Sequence, residues 1–476
     1  METLIKIPVI QIGLLFIMSI MNNFKINVKT KRVLEITTLF TVFSLGVVLF
    51  LFLDKGVVYD IGGYGKIGIS FYIDKMTALL STFFIGVVSL VVFASRTLKK
   101  NSTLFPFTFL NFILLAIIGL IYTADLFNAY VFIEVLTISS AAMVMVEKNK
   151  KSVIPTINYI VINSVGSGMY LMGIGYLYYM LGYLNFFDIR KSIESGYYNL
   201  IVPVILITIG LSIKSALFPM HGWLPGAHGK ASSYSSSILS AIVIKGPIIL
   251  LIKIYVIAFG IDYLRGEGIL EILLILGLLG IVFASLKATL KSKVKEKLAY
   301  SSVAQMGFIF LGLGIGNVYS IAISIFHILN HSICKSVMFL YSGELKEELG
   351  INKDEKYDGI FKYDKIGFAA FTMMGLSLSG IPILPGFISK LYYGKILFEA
   401  GNMLIGVLVV FSGLLTLSYI LPMVIRGGFK NGHEELEPIS NNRRWILYID
   451  MAILIILSVV SKDMIDFIVA NVNLWR

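Results

Sequence analysis

Long apolar runs, separated by short polar segments, follow one another along almost the whole chain. A helix that crosses the hydrocarbon core of a bilayer needs about 20 apolar residues, and runs of at least about 16 residues predict about fourteen such spans. Because these runs leave no room for a soluble domain, residues 1–476 are predicted to form a single all-α polytopic membrane domain. The predicted spans begin near Leu4, Val33, Met76, Leu104, Leu126, Ile154, Leu200, Ser233, Gly268, Leu298, Val318, Ile366, Met403 and Trp445.

The stretch between the second and third spans has a different pattern. Its sequence, VVYDIGGYGKIGISFYID, alternates apolar and polar positions around several glycines. This alternation is typical of two short strands joined by a turn. A disordered loop would account for the same pattern equally well, so the sequence leaves both an external β-hairpin and an irregular loop open.

Composition supports a membrane location and changes the meaning of the net charge. Hydrophobic residues make up 57% of the chain and charged residues 14%, and the mean hydropathy is +0.86. Such values are typical of polytopic membrane proteins. The formal net charge of +12 does not indicate nucleic-acid binding, because the lysines are spread among the spans and not gathered into one patch. Cys334 is the only cysteine, which excludes a disulfide or a cysteine-ligated iron–sulfur cluster within this chain.

Alternate loops differ in their content of Lys and Arg. The loops after odd-numbered spans hold about 25 of these residues, and the opposite loops and termini hold about nine. Because the more basic side of a membrane protein faces the cytoplasm, both termini are predicted to lie on the non-cytoplasmic side of a cell (inner) membrane. The most basic loop, LKATLKSKVKEKLAY, is a topology signal or a contact for anionic lipid or a partner subunit.

Ionisable residues inside apolar spans are the main indication of function. Lys214 lies in the seventh span and Lys245 in the eighth. An ammonium near the bilayer centre costs about 2.5 to 3.5 kcal/mol, whereas each Leu or Ile contributes only about 0.3 to 0.6 kcal/mol to insertion. We therefore expect these lysines, and Glu134 in the fifth span, to face the bundle interior or a water-filled path. Asp125, at the start of the fifth span, is interpreted as a helix cap.

Prolines beside several lysines should interrupt three spans. Proline removes a backbone donor and kinks or breaks a helix, and the free helix ends can polarise water or an ion. By contrast, Lys253 and Lys395 lie nearer the outer ends of their spans, where long side chains are expected to reach the membrane surface. The prolines concerned are Pro219 after Lys214, Pro247 after Lys245, and Pro382 with Pro385 before Lys390.

Histidines supply a further polar pattern. His327, His331 and Lys335 recur every four residues in the eleventh span and therefore share one face of a helix. Two histidines with this spacing can bind zinc, but a third ligand is not apparent, and one helix face cannot offer both axial ligands of a haem. The expectation is a polar stripe with no metal or cofactor. His221 and His228, in a Trp/Pro/Gly turn, either relay protons or have a structural role.

The two broken spans suggest an internal repeat. The seventh and twelfth spans lie five spans apart, and an odd repeat length inverts the orientation of the second copy. This spacing predicts two five-helix units of opposite topology, at residues 104–259 (spans four to eight) and 268–425 (spans nine to thirteen).

The chain resembles, from SFYIDKM to the thirteenth span, the antiporter-like membrane subunits shared by respiratory complex I (NADH-quinone oxidoreductase), membrane-bound hydrogenases and Mrp cation/proton antiporters. The resemblance implies a proton path through each half of the molecule and a central polar axis. It also matches Glu134 and Lys214 to an interacting pair, Lys245 to a connecting lysine and Lys390 to a terminal one, with the histidine stripe between the halves. It is carried, in order, by DLFNAYVFIE, KSALFPMHGWLPGAH with SSSILSAIVIK, KLAYSSVAQMG, HILNHSICKSVMFLYSG and GIPILPGFISK.

The functions implied by this resemblance fall into two main classes. The first is a proton- or sodium-translocating subunit of a redox-driven complex, with the electron chemistry and all cofactors in other chains. The second is a subunit of an Mrp-type secondary antiporter, and a scaffold that transports nothing is a third reading. The length of the chain points to the shorter family members: the middle or quinone-proximal antiporter-like subunits of complex I, the hydrogenase homologues or the D-type subunit of Mrp antiporters. Expected partners are other membrane subunits, protons or sodium ions, and the lipid bilayer.

Overall fold

A computed structural model describes residues 2–24, 26–62, 68–98, 107–145, 150–196, 198–430 and 444–475. The first half contains α1 (Ile7–Met21), α2 (Val28–Phe52), β1 (Val57–Ile61), β2 (Ile69–Ile73), α3 (Lys75–Leu98), α4 (Phe107–Tyr122), α5 (Leu126–Met145), α6 (Lys150–Leu181), α7 (Phe186–Ser195), α8 (Ile201–Lys214), α9 (Trp223–Lys230) and α10 (Ser233–Phe259). The second half contains α11 (Ile261–Gly266), α12 (Ile269–Thr289), α13 (Val294–Ile315), α14 (Val318–Leu349), α15 (Ile360–Tyr363), α16 (Lys365–Ser379), α17 (Pro385–Glu399), α18 (Met403–Phe429), α19 (Trp445–Val459) and α20 (Ser461–Trp475).

The predicted spans coincide with helices or with pairs of helices. Within the described part of the chain, ten helices are long and apolar enough to cross a membrane, and four further apolar helices have 10–17 residues. The predicted start of the fourth span, near Leu104, lies outside the described residues, and the helix is described from Phe107 onward. A mostly helical membrane fold is therefore confirmed, whereas the count of fourteen crossings and the inverted repeats stay predictions.

The hairpin predicted between the second and third spans is confirmed. Strand β1 pairs with β2 in antiparallel register, with Tyr59 opposite Phe71. The backbone N–H of Ala124, in the turn between α4 and α5, donates to the carbonyl of Ser70 at 2.8 Å, and Phe186 N donates to the carbonyl of Ala124 at 2.9 Å. The hairpin, this turn and the start of α7 thus form one layer, called here the hairpin end of the bundle.

Three helices form the centre of the bundle. In the most apolar 18-residue stretch of each helix, all residues of α10 and α14 and 89% of the residues of α13 are buried. The corresponding shares are only 28% in α2 and 33% in α18. A bilayer can cover an apolar helix on every side, so lipid exposure suits α2 and α18. Helices α10, α13 and α14 carry lysines, histidines and glutamine, and burial in protein spares these groups from contact with lipid.

Glycines allow two pairs of helices to pack with their backbones in contact. A Cβ added at Gly277 of α12 would lie 2.7 Å from the carbonyl oxygen of Gly307 in α13, and one added at Gly210 of α8 would lie 2.6 Å from the carbonyl oxygen of Gly166 in α6. Small residues permit this close approach between membrane helices. In the sixth span, Gly166 and Gly173 face α8 in this way, whereas Gly168 and Gly175 have no neighbour within 4 Å.

The seventh and twelfth spans are broken, as predicted. Helix α8 ends at Lys214, and the chain turns through Ala216, which has a positive φ of 54°, before α9 begins at Trp223. The break therefore begins some residues before Pro219. The second break lies between Ser379 at the end of α16 and Pro385 at the start of α17, and it includes Gly380 with a φ of +83°.

Helix α10 is interrupted without being broken. Its Leu239–Val243 segment is π-helical, as is Ile254–Phe259, and Lys245 lies directly between the first of these segments and Pro247. Proline at position 247 cannot donate a backbone hydrogen bond to the preceding turn, and a wider π-helical turn is one way for a helix to accommodate such a loss. The predicted distortion at Pro247 is thus a local change in winding.

Candidate functional site

Lys214 lies at the end of α8, where the break leaves it pointing into the bundle. Its side chain is 4% exposed, and its Nζ donates to Thr137 Oγ1 of α5 at 2.7 Å. Glu134 lies one turn from Thr137 on the same helix face and interacts electrostatically with Lys214. Among the described residues, the buried Glu134 Oε1 has no hydrogen-bond partner. The Lys214 ammonium is therefore hydrogen-bonded to the Thr137 hydroxyl and also interacts with the Glu134 carboxylate.

Lys245 occupies the centre of α10 and is fully buried. Its Nζ donates to the carbonyl oxygen of Ser240, in the π-helical turn of the same helix. Ser240 Oγ is in turn 2.8 Å from Ser302 Oγ of α13. Lys245 also interacts electrostatically with Lys335 of α14. The distorted turn therefore supplies an acceptor to a lysine that a regular helix would leave without one.

His327 of α14 is held from two sides. Its Nδ1 is 2.8 Å from Ser389 Oγ of α17, and its Nε2 is 3.1 Å from Gln305 Oε1 of α13. The imidazole interacts electrostatically with Lys390 and with Lys245. This histidine, which is fully buried, therefore joins α17 to α13 through its two hydrogen bonds.

His331 and Lys335 continue the stripe along α14, as their spacing predicted. The rings of His331 and His327 are stacked with centroids 6.4 Å apart, and Lys335 Nζ donates to the carbonyl of Leu298 at 2.9 Å. His331 interacts electrostatically with Lys245 and Lys335. Its two ring nitrogens are buried and lack a hydrogen-bond partner among the described residues. Buried polar atoms normally bind protein or water, so a hydrated position is expected here.

Lys390 folds back from α17 onto the end of α16. Its Nζ donates to the carbonyl of Leu378 at 2.8 Å and lies 4.8 Å from the ring centroid of Phe308. The last carbonyls of a helix lack partners within the helix and carry a partial negative charge. The break therefore creates the acceptor that holds this buried ammonium.

The sequence-predicted residues fall into two adjoining groups. Glu134 and Lys214 lie between α5 and α8, while the remaining residues, on α10, α14 and α17, interact electrostatically with one another. His228 of α9 joins the second group, since it stacks on Phe339 at 4.8 Å and interacts with Lys335 and Lys245. The members of the second group are His228, Lys245, His327, His331, Lys335 and Lys390.

Several partners were not singled out from the sequence. Thr137, Ser240, Gln305 and Ser389 hold ionisable side chains, but serine, threonine and glutamine also occur in apolar helices for packing alone. Their only sequence signal is proximity to charged residues, such as Thr137 at three positions from Glu134. Within the described residues, no group of three or more His, Cys, Asp or Glu side chains has the arrangement of a metal site.

Two carboxylates lie at the hairpin end, outside the spans. Asp125 accepts a hydrogen bond from the backbone N–H of Asn128 at 2.7 Å, which confirms its interpretation as a helix cap. Burial raises the pKa of Asp125 to about 6, and this hydrogen bond acts in the opposite direction. Burial also raises the pKa of Asp74, against hydrogen bonds from Thr77 and Trp475 and the charge of Lys253.

The expectation that Lys253 reaches the membrane surface is wrong. The residue is fully buried, and its Nζ donates to the carbonyls of Ile121 and Thr123 at 2.5 and 2.6 Å. The carbonyl end of α4 approaches from a distant part of the sequence and accepts this ammonium, so the side chain need not extend to water. Lys395, by contrast, is 64% exposed and lies 3.8 Å from Glu399, as expected for a surface residue.

The fold is a helical membrane bundle, and lysines and histidines are buried in its core. These features define the class of the protein, a polytopic membrane protein with ionisable residues in its core. Residues 123–416 match the sequence pattern of the family described as NADH:quinone oxidoreductase/Mrp antiporter, TM. The chain belongs to this family, and all the site residues named in the two groups above lie within the matched range.

Individual relatives support this membership. The chain is 31% identical over 366 residues to NADH-quinone oxidoreductase subunit N of Desulforudis audaxviator, covering 75% of this chain and 72% of that protein. It is 28% identical over 412 residues to the D-type subunit of the Na(+)/H(+) antiporter of Bacillus subtilis, covering 85% and 82%. The fold matches a chain of the archaeal membrane-bound sulfane sulfur reductase complex with a TM-score of 0.85 at 24% identity, over 99% of this chain and 96% of that one.

Proposed function

We propose that this protein is an ion-translocating subunit of a multisubunit, redox-driven membrane complex of the complex I or membrane-bound hydrogenase type. Protons are the first candidate ion and sodium the second. The similarity to subunit N of NADH-quinone oxidoreductase supports the class of complex. The chain itself then contributes no redox chemistry, and the cofactors lie in partner subunits.

The observation that carries the proposal is the line of buried cations across the bundle. Lys245, Lys335 and Lys390 are each at most 3% exposed and are linked electrostatically through the two histidines of α14. Burying ammonium groups without a carboxylate in contact is costly. Several such groups on one line are better explained by ion movement than by packing, because apolar residues would fill the same space at lower cost.

Glu134 acts in this proposal as a switch for Lys214. When the lysine leaves Thr137 and approaches the carboxylate, its protonated form is stabilised. When it returns, the proton can pass toward Lys245. A hydrogen bond to a charged group contributes about 1.5 to 3 kcal/mol, and moving one charge against 100 mV requires about 2.3 kcal/mol. The free-energy change when Lys214 exchanges one partner for the other is therefore comparable with the energy needed to move one proton against the membrane potential.

A membrane topology for this chain is part of the proposed function. The bundle crosses the membrane fourteen times, with five-helix units at residues 104–259 and 268–425 in opposite orientations and both termini on the non-cytoplasmic side. Support comes from the two broken spans, each with a lysine at the break, and from the bias of Lys and Arg among the loops. Other membrane subunits and lipid cover the exposed apolar faces.

A second function is favoured by a specific observation. The similarity to the D-type subunit of a Na(+)/H(+) antiporter extends over 85% of this chain. The same buried lysines would then serve a secondary antiporter that is driven by ion gradients alone.

One experiment separates these functions. The complex is isolated from native membranes through an affinity tag on this chain, its subunits are identified, and it is reconstituted into liposomes. A redox-driven complex co-purifies with iron–sulfur or nickel–iron subunits and acidifies the liposomes only with an electron donor. An antiporter lacks these subunits and exchanges sodium for protons under an imposed pH gradient without a donor.

Variants of the switch then test the role of this chain. Lys214→Ala and Glu134→Ala should abolish ion transport while the complex still assembles, because both residues act in ion transfer. Lys395→Ala, which changes an exposed lysine, serves as the matched control and should transport normally. Unchanged transport in both switch variants would refute the proposed role. His327→Ala should slow transfer between the halves.

A further inference from the structure

Lys253 is a buried lysine that the proposed path does not use. It lies on α10 eight residues beyond Lys245, or about 12 Å along the helix axis. Its ammonium donates to the carbonyls of Ile121 and Thr123 at the end of α4 and lies 6.0 Å from the ring centroid of Phe186. Since Phe186 begins α7, this lysine lies directly under the hairpin end of the bundle.

Asp74 is buried beside this lysine. It is 1% exposed, and its Oδ1 accepts hydrogen bonds from the backbone N–H and the hydroxyl of Thr77 at 2.7 and 2.8 Å. Its Oδ2 accepts from Trp475 Nε1 in α20. The carboxylate interacts electrostatically with Lys253. Asp74 and Lys253 therefore interact with each other, and each forms hydrogen bonds with a different set of groups.

The arrangement repeats that of Glu134 and Lys214. In both pairs the lysine donates to a neutral oxygen, Thr137 Oγ1 in one and two carbonyls in the other, and interacts electrostatically with a carboxylate. Lys245 lies between Lys214 and Lys253 in the sequence. A lysine held in this way can exchange its acceptor without the loss of a direct ion pair.

Polar groups also lead inward from Asp74. Thr77 and Ser81 follow it along one face of α3, and Ser81 Oγ is 2.6 Å from Tyr122 OH of α4. Beyond them the path toward Lys245 is apolar, because Gly246 packs against Ile117 and Leu120. The hairpin end thus contains a row of buried polar side chains, which an apolar segment separates from Lys245.

We propose that Lys253 and Asp74 form a further ion-transfer site, which exchanges the ion between Lys245 and the hairpin side of the membrane. This inference rests on the proposed function, since it assigns the place where the ion enters or leaves the first half of the chain. Transfer across the apolar segment requires that water enters it or that the Lys253 side chain swings inward along α10.

A purely structural role makes a different prediction. In that case Lys253 only caps α4 and Asp74 only balances its charge. Removal of one charge would then destabilise the protein, but replacement of both by neutral polar groups should restore assembly and transport, because no unpaired buried charge remains. An ion-transfer site cannot be restored in this way.

The test uses the whole complex in liposomes, driven by whichever force supports transport by the unsubstituted complex, with proton uptake followed by a pH-sensitive dye. The variants are Lys253→Gln, which keeps hydrogen-bond donors, Lys253→Arg, which keeps the charge, and the double variant Asp74→Asn with Lys253→Gln. We expect the double variant to assemble to within twofold of the unsubstituted level with at least tenfold slower transport. Lys253→Arg should assemble and keep more of the rate than Lys253→Gln.

Two controls separate the possible failures. Lys395→Gln alters an exposed lysine of α17 and should leave transport unchanged. Lys214→Gln, prepared in parallel, reports on the proposed function itself. Normal transport by the double variant, or failure of all Lys253 variants to assemble, would contradict an ion-transfer site. Lys253 would then only cap α4. If Lys214→Gln also transports normally, the proposed function fails as well.

Discussion

Five of the buried lysines share one kind of partner. Each donates to a backbone carbonyl or to a hydroxyl, which neutralises less of its charge than a carboxylate in contact would. Helix breaks and π-helical turns provide some of these oxygens, since they free carbonyls from the helix. Such an ammonium is stable in the bundle and yet can change partners. The lysines and their acceptors are Lys214 with Thr137, Lys245 with Ser240, Lys253 with Ile121 and Thr123, Lys335 with Leu298, and Lys390 with Leu378.

The hydroxyl of Thr137 offers a test of the switch. Thr137→Val keeps the shape of the side chain and removes the acceptor of Lys214. A hydrogen bond to a charged group contributes about 1.5 to 3 kcal/mol, so the lysine should shift toward Glu134 by about tenfold or more in population. We expect the rate of transport to fall about tenfold with normal assembly, measured in liposomes.

Thr137→Ser is the matched control, because it keeps the hydroxyl. Equal rates for the valine and serine variants would show that Lys214 does not depend on this acceptor.

At the scale of helices, the positions of the prolines predicted which helices are irregular. They did not predict whether each helix would break or would only change its winding. Pro219 and Pro385 lie at real breaks, yet the first break already begins after Lys214. Pro247 leaves α10 continuous with a π-helical turn beside it. Local sequence indicates that a hydrogen bond is lost, whereas the packing of neighbouring helices decides whether the chain turns or rewinds.

The contact between α12 and α13 should tolerate no side chain at its centre. A Cβ at Gly277 would lie 2.6 Å from Leu311 N of α13, so Gly277→Ala must push the two backbones apart. Overpacking of this kind costs about 1 to 3 kcal/mol. We expect a lower melting temperature of the purified complex, measured by tryptophan fluorescence or by loss of solubility on heating.

Gly168→Ala is the control on α6, where nothing lies within 4 Å of the added atom. The melting temperature of this variant should be unchanged. An equal effect of both substitutions would mean that the α12–α13 contact is not limiting for stability.

At the scale of the whole molecule, the proposed orientation can be measured directly. Cys334 is buried and is the only cysteine, so Cys334→Ser provides a background for single exposed cysteines. With a membrane-impermeant maleimide applied to intact cells, Lys55→Cys beside β1 should be labelled. Glu355→Cys, in the loop after α14, should be labelled only after the membrane is opened. Both positions are exposed, and the reverse pattern would place both termini in the cytoplasm.

The sequence by itself determined that the chain is a membrane bundle, which spans contain breaks, and that several ionisable residues, such as Lys214 and Lys245, are buried, although it misplaced Lys253. These features follow from the length of apolar runs, from proline chemistry and from the cost of a charge in lipid, all of which act locally. The tertiary structure alone decided the partners. Lys253 meets carbonyls that lie 130 and 132 positions away in the sequence, and His327 joins α13 to α17. No local pattern encodes such contacts, because they depend on how distant helices pack together.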